Sequence, residues 1–363
     1  MGLDLGSTNI SALFFADDII ILGKSTAALS ALMDITRIFF SNHKLELSEK
    51  KSKLMSHDAN TGYTTFTGSP PTNPITLEQV LSFKYLGIPI NCSPYNMFKC
   101  FNEQVRKRAQ SYQASVLSLV KTGPDRADLA YTLWTCCALP SILYGTEVIP
   151  LTQTTISEIE KCQSQVGKFI LQLPRSSASV SASLDAGLKP VWAVIAEKVL
   201  VYASTTMKKP AQFWPRIAMN VNMDSGYKSP YTNYLMKWRT ATDSTLLSTK
   251  LIRQSTNRAA IIHVLEEQKL CSTTTFAMNP PEPLSVNKWF KPKAWVTDSC
   301  RTKILSQFRA CNANLGNRGP TRDGRFFKLC PLCANHGTDA INNEVEKNII
   351  FYMKFTYNFR CTC

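Results

Sequence analysis

Apolar residues fall along the chain in two rhythms, short blocks first and helical spacing later. Leu13 to Leu22 reads LFFADDIIIL: Leu13, Phe14 and Phe15 precede Ala16, Asp17 and Asp18, and Ile19, Ile20, Ile21 and Leu22 follow them. Two runs of aromatic and β-branched residues about a tight acidic turn predict a buried β-hairpin. The ten residues before it, MGLDLGSTNI, predict a short strand and turn that feed it. Ser25 stands where it can cap a helix from about Thr26 to Asn42, in which Leu29, Leu32, Met33, Thr36, Phe39 and Phe40 recur at helical spacing. That face is expected to pack under the hairpin sheet.

The blocks then shorten again. Leu45 to Met55 (LELSEKKSKLM) predicts a strand end and a basic turn at Lys50, Lys51, Ser52 and Lys53. His57 to Pro74 is rich in Thr, Gly, Asn and Pro and predicts a loop or edge hairpin outside the core. Phe83 to Ile90 (FKYLGIPI) predicts a strand, with Gly87 allowing a close backbone approach. From about Tyr95 helical spacing takes over: Cys100 to Lys121, closed by Thr122, Gly123 and Pro124; Asp125 to Glu147, which Pro140 should break or kink; Thr154 to Leu173; and Val191 to Met207. Short-looped helices of this kind make a small bundle. Lys208 to Leu305 reads as helical with long loops, and its Trp238, Trp289 and Trp295 are open to base stacking or, more simply, to buried packing. The fold class is therefore α+β.

Composition narrows the function classes. The 363 residues carry 41 Lys and Arg against 26 Asp and Glu, a net charge of +15 on a chain that is 44% hydrophobic. That is a foldable basic protein, which favours polyanion partners, nucleic acid above all. The N-terminus lacks the charged, apolar and small-residue order of a signal peptide, and no apolar stretch reaches the roughly 18 residues that a membrane span needs. The 12 cysteines are scattered, which suits reduced thiols in the nucleus or cytosol.

Three features carry candidate chemistry. Adjacent carboxylates at Asp17 and Asp18 repel each other unless a cation sits between them, and a hard divalent ion with oxygen ligands answers that need; a plain solvated turn answers it as well. The basic run Arg106, Lys107 and Arg108 suits phosphate contact, and a solvated helix face equally. Cys330 and Cys333, two residues apart, form the usual half of a tetrahedral zinc site.

The order of FADD at Phe15 to Asp18, Lys51-Ser52 and Tyr85-Leu86-Gly87 resembles the later half of the reverse-transcriptase palm in non-LTR, LINE-type retrotransposons. The resemblance covers about the first 180 residues well and the rest loosely. It implies a partial palm over 1–92, a helical thumb over 93–175, a helical C-terminal region over 176–310 and a degenerate zinc-knuckle tail over 311–363. It further implies RNA-directed DNA polymerase chemistry with Mg²⁺ or Mn²⁺. In that scheme Asp17 binds metal, Asp18 supports the site, Lys51 acts on the leaving phosphates and Tyr85, Leu86 and Gly87 grip the primer. Arg106, Lys107 and Arg108 would meet the RNA/DNA primer-template duplex, and deoxynucleotides would be the substrate.

The departures from the pattern matter as much. The family's fingers and first catalytic-aspartate motif would stand upstream of this sequence, and Asp4, the nearest acid there, has the wrong context. Ser48 replaces a usual Asn. In the tail, Glu346 follows Val345 where the family places its third ligand, His, leaving His336 as the candidate Zn²⁺ ligand beside Cys330 and Cys333. The expectation is a reverse-transcriptase fragment inactive alone, unless another chain supplies the missing palm, in a nuclear or cytoplasmic ribonucleoprotein. The competing expectation is a non-catalytic nucleic-acid-binding remnant that uses the basic thumb and the terminal cysteines.

Overall fold

The computed structural model describes residues 2–6, 8–56, 62–67, 74–120, 126–175, 177, 179, 182, 183, 186–224, 230–243 and 248–270. It is mixed α and β, with small sheets of short strands followed by helices. Two compact units form: one from Met1–Ala114, Cys136–Glu160 and Pro190–Ala260, the other from Ser115–Thr135, Lys161–Lys189 and the chain from Ile261 on. Among the described residues no helix is long and apolar enough to cross a membrane.

The first unit begins with two hairpins in succession. β1 (Leu3–Leu5) pairs with β2 (Thr8–Ile10), and β3 (Ala12–Phe15) pairs antiparallel with β4 (Asp18–Ile21) in the register Ala12 with Ile21 through Phe15 with Asp18. Helix α1 (Thr26–Asn42) starts as its sequence asks, with the Ser25 hydroxyl accepting from the Ala28 amide at 3.2 Å. A three-stranded sheet follows, in the order β5 (Lys53–Leu54), β7 (Ile75–Gln79), β6 (Gly62–Phe66), with β5 parallel and β6 antiparallel to β7. Its inward residues Phe66, Ile75 and Leu77 close on Met33 of α1, with Leu29, Ile21, Leu47 and Leu54 packed around them. This is the core of the β region.

Three expectations are corrected here. The FADD hairpin is not buried: Phe14 is 67% exposed and Phe15 60%. The described part of that sheet has two strands, and a ribbon of two offers little surface to cover. Conversely, the segment read as loop or edge outside the core places Phe66 in the core at 4% exposure. It does so because β6 carries Thr64 and Phe66 on the face that β7 matches with Leu77 and Ile75. Helix α1 does meet the hairpin, as expected, through Ile21 of β4, and its Met33 and Leu29 meet the three-stranded sheet as well; its Phe39, expected on the packed face, lies exposed.

β8 (Ser82–Tyr85) and β9 (Ile88–Asn91) make a further hairpin, joined by Leu86 and Gly87 alone. The expected strand is thus two strands, and the glycine sits in the turn. Helix α2 (Pro94–Leu119) buries Phe101, Val105 and Ala109 at four-residue spacing. Asn102 ties it to the segment before α5 (Gln153–Ile170), accepting from the Thr152 amide at 2.8 Å and donating to the Pro150 carbonyl at 3.3 Å. Gly145, at a φ of 89°, leaves room for the Phe101 ring, which a Cβ there would meet at 3.2 Å. Helix α6 (Val191–Met207) follows Pro190, which cannot cap it by side chain; the Glu160 carboxylate instead accepts from the amides of Val191 and Trp192. Helices α7 (Trp214–Asp224), α8 (Pro230–Thr242) and α9 (Thr249–Leu270) complete the described chain. Trp238 of α8 stacks on Trp192 at 6.3 Å and meets Tyr234 edge-on at 5.9 Å, so its role there is packing.

In the second unit Trp134 is fully buried and donates to Gln163 Oε1 at 3.1 Å, while Gln163 Nε2 donates to the Lys189 carbonyl at 2.9 Å. Along the chain, α3 (Arg126–Thr132) runs into a π-helical turn at Leu133–Ala138 and then α4 (Leu139–Ile142). Pro140 explains the change of pitch. It has no amide to give, and in an unbroken α-helix its ring would press on the carbonyl four residues back, a clash that opening the preceding turn by one residue relieves.

Candidate functional site

The hairpin of β3 and β4 turns on two residues, Ala16 and Asp17. Ala16 has a φ of 51°, a left-handed conformation that costs an L residue with a Cβ about 1–2 kcal/mol. Positive φ at the first central residue alone is the pattern of a hairpin turn that usually carries glycine there. The strain sets Asp17 at the tip and Asp18 at the first position of β4, both exposed. Neither side chain makes a hydrogen bond or ion pair among the described residues, so both carboxylates stand open to a cation. Two such groups suffice for one Mg²⁺ that keeps waters or substrate phosphates as its other ligands. No group of three His, Cys, Asp or Glu close enough to hold a metal occurs among the described residues. A site for a pair of ions needs a further ligand beside Asp17 and Asp18.

Asp4 does not fill that gap. It lies on β1, where its carboxylate takes the Lys24 ammonium and the Asn9 amide, the latter at 2.8 Å. The Lys24 hydrogen bond, helped by Asn9, holds the Asp4 carboxyl below its ordinary range. Lys51 is exposed in a turn, and the neighbouring Lys53 is paired with Glu78. No hydrogen bond or ion pair joins Lys51 to Asp17 or Asp18 among the described residues.

The second two-residue hairpin, Leu86 and Gly87, has both φ angles positive, 47° and 82°. That is the primed turn whose twist matches paired strands, and it is written with an unusual leucine at its first position. The Gly87 carbonyl accepts from Gln104 Nε2 at 3.2 Å and from Arg108 Nη2 at 2.9 Å. Tyr144 is close by: a Cβ on Gly87 would lie 3.6 Å from its ring. The basic run does not act as one surface. Arg106 pairs with Glu158 at 3.4 Å, Lys107 with Glu103 one turn back at 2.8 Å, and Arg108 faces Gly87. Cys330, Cys333 and His336 lie outside the described residues.

The structure thus joins Gly87 with Arg108, and leaves Asp17, Asp18 and Lys51 unlinked to them by any described bond. Sequence reasoning missed Gln104 and Tyr144. The signal for Gln104 was its four-residue spacing from Arg108; Tyr144 had none beyond the Gly145 that follows it.

No curated protein and no solved structure matches the chain. A family model does: the segment 4–90, which holds the Asp17-Asp18 hairpin, Lys51 and the Leu86-Gly87 turn, matches the reverse transcriptase (RNA-dependent DNA polymerase) family.

Proposed function

We propose that this chain is the later part of a reverse-transcriptase palm with its thumb, of the non-LTR retrotransposon type, and that it binds a primed RNA template with little or no DNA synthesis by itself. The family match over 4–90 carries the reading, because it spans both special hairpin turns. In this reading Asp17 and Asp18 hold Mg²⁺, or Mn²⁺ in its place, and Lys51 lies toward the nucleotide phosphates. When bound, the ion neutralises phosphate charge as phosphoryl transfer proceeds. Tyr85, Leu86 and Gly87 meet the primer end, and Arg106 and Lys107 exchange their partners Glu158 and Glu103 for the duplex backbone. Synthesis needs a further carboxylate, which another chain or segment would bring, since Asp4 is held by Lys24. The setting is a ribonucleoprotein in the nucleus or cytoplasm.

A second reading, a non-catalytic binding protein, is favoured by one observation: no third metal-ligating side chain joins Asp17 and Asp18 among the described residues. Cys330, Cys333 and His336 with Zn²⁺ would add to binding in that case.

Fluorescence anisotropy of a primed RNA template tests the shared claim. The expected result is affinity that falls steeply with salt, log K against log salt sloping at several units, as counterions leave the phosphates. It should also be tighter for a recessed 3′ end than for a blunt duplex. Equal affinity for both would remove the primer reading and leave the binding one; absence of binding would remove both.

A further inference from the structure

The Leu86–Gly87 turn is held from behind. Gln104 and Arg108 stand one helical turn apart on α2, so their side chains share a face. Both donate to a single atom, the Gly87 carbonyl oxygen, at 3.2 Å and 2.9 Å. An exposed two-residue turn can leave its carbonyl to water; here it takes two side-chain donors. One is a guanidinium, whose hydrogen bonds are roughly twice as strong as neutral ones. The turn they hold is a strained one, with Leu86 at a φ of 47°. Satisfying a carbonyl does not account for the whole arrangement. Arg108 Nη1 and Gln104 Oε1 are buried and have no partner among the described residues, an unfavourable feature that packing alone would select against. Strain and unpaired polar atoms gathered at one turn mark geometry kept for use.

We propose that Gln104 and Arg108 are positioning residues, which fix the left-handed Leu86–Gly87 turn at a set distance from α2 so that it offers one surface to the terminal nucleotide of a primer. Tyr144, 47% exposed and beside Gly87, flanks that surface. The inference rests on the reading of this turn as the primer contact. Arg108 acts in it through the Gly87 carbonyl and makes no phosphate contact, unlike the role given to Arg106 and Lys107.

The test has two arms on the full chain. The first is amide exchange across β8 and β9 without nucleic acid, in Gln104→Ala, Arg108→Ala, Arg108→Lys and, as control, Gln110→Ala, an exposed position on the same helix. Exchange should rise about tenfold in the two Ala variants of the clamp, as loss of a bond to a charged group implies, and recover in part in Arg108→Lys. The second arm is a primer with 2-aminopurine as its terminal nucleotide, annealed to RNA. Its fluorescence change on binding should vanish in Arg108→Ala and persist in Gln110→Ala, while the salt slope of Arg108→Ala stays that of the parent.

Unchanged exchange in both Ala variants, with a terminal-nucleotide signal in the parent, would overturn the clamp and leave the primer reading standing. A salt slope lower by about one in Arg108→Ala would show a direct phosphate contact and also overturn it. Raised exchange with no terminal-nucleotide signal in the parent would overturn the positioning role through failure of the primer reading itself. Should Arg108→Ala unfold, Gln104→Ala and Arg108→Lys decide.

Discussion

Asp4 and Asp17 are acids thirteen positions apart with opposite surroundings. Lys24 and Asn9 engage Asp4, whereas Asp17 stands at a strained tip with nothing against it. A carboxyl whose folded pKa is depressed contributes stability that is present above its unfolded value, about 3.9, and lost as pH falls through the folded one. Replacing Lys24 with Ala should therefore move the Asp4 titration upward, read by NMR of the side-chain carboxyl. A titration that stays put would contradict the pairing. At this scale the sequence was partly legible. FADD, Lys51 and the YLG tripeptide could be read from letters in order. That Arg108 would turn inward to Gly87 while Lys107 pairs with Glu103 could not, because three consecutive basic residues on a helix face three directions about 100° apart, and only the neighbouring elements decide what each meets.

Among elements, the helices were the more legible part. Ser25 capping α1 and the limits of α6 at Val191–Met207 follow from local signals that tertiary packing did not override. The strands were harder, since their burial depends on a partner far along the chain. Phe66 sits in a stretch whose Thr, Gly, Asn and Pro content speaks for a loop, yet it reaches the core through its pairing with Ile75. Phe66→Ala should accordingly cost about 3 kcal/mol or more, as large-to-small changes of buried aromatics do. Denaturant unfolding measures it, and a loss below about 1 kcal/mol would place Phe66 outside the core. The reverse error, the expected burial of Phe14 and Phe15, has the same cause. Their apolarity gave no sign of whether a third strand or a helix would cover them.

For the whole molecule, charge and fold class point the same way. A net charge of +15 on an α+β chain suits a long polyanion, and the reverse-transcriptase match over 4–90 names one. Asp17 and Asp18 are two exposed carboxylates at one turn, and the nearest upstream acid, Asp4, is paired with Lys24. Under the proposed function, holding a primed template and extending it are separate capacities. Primer extension measures that separation most directly. The purified chain is incubated with a primed RNA template, deoxynucleotides and Mg²⁺ or Mn²⁺, beside Asp17→Ala, with template binding followed in the same tubes. The predicted result is bound template, no added nucleotides, and no difference between the two proteins. Metal-dependent extension that disappears in Asp17→Ala would contradict it and show that the carboxylates at the hairpin tip suffice for synthesis.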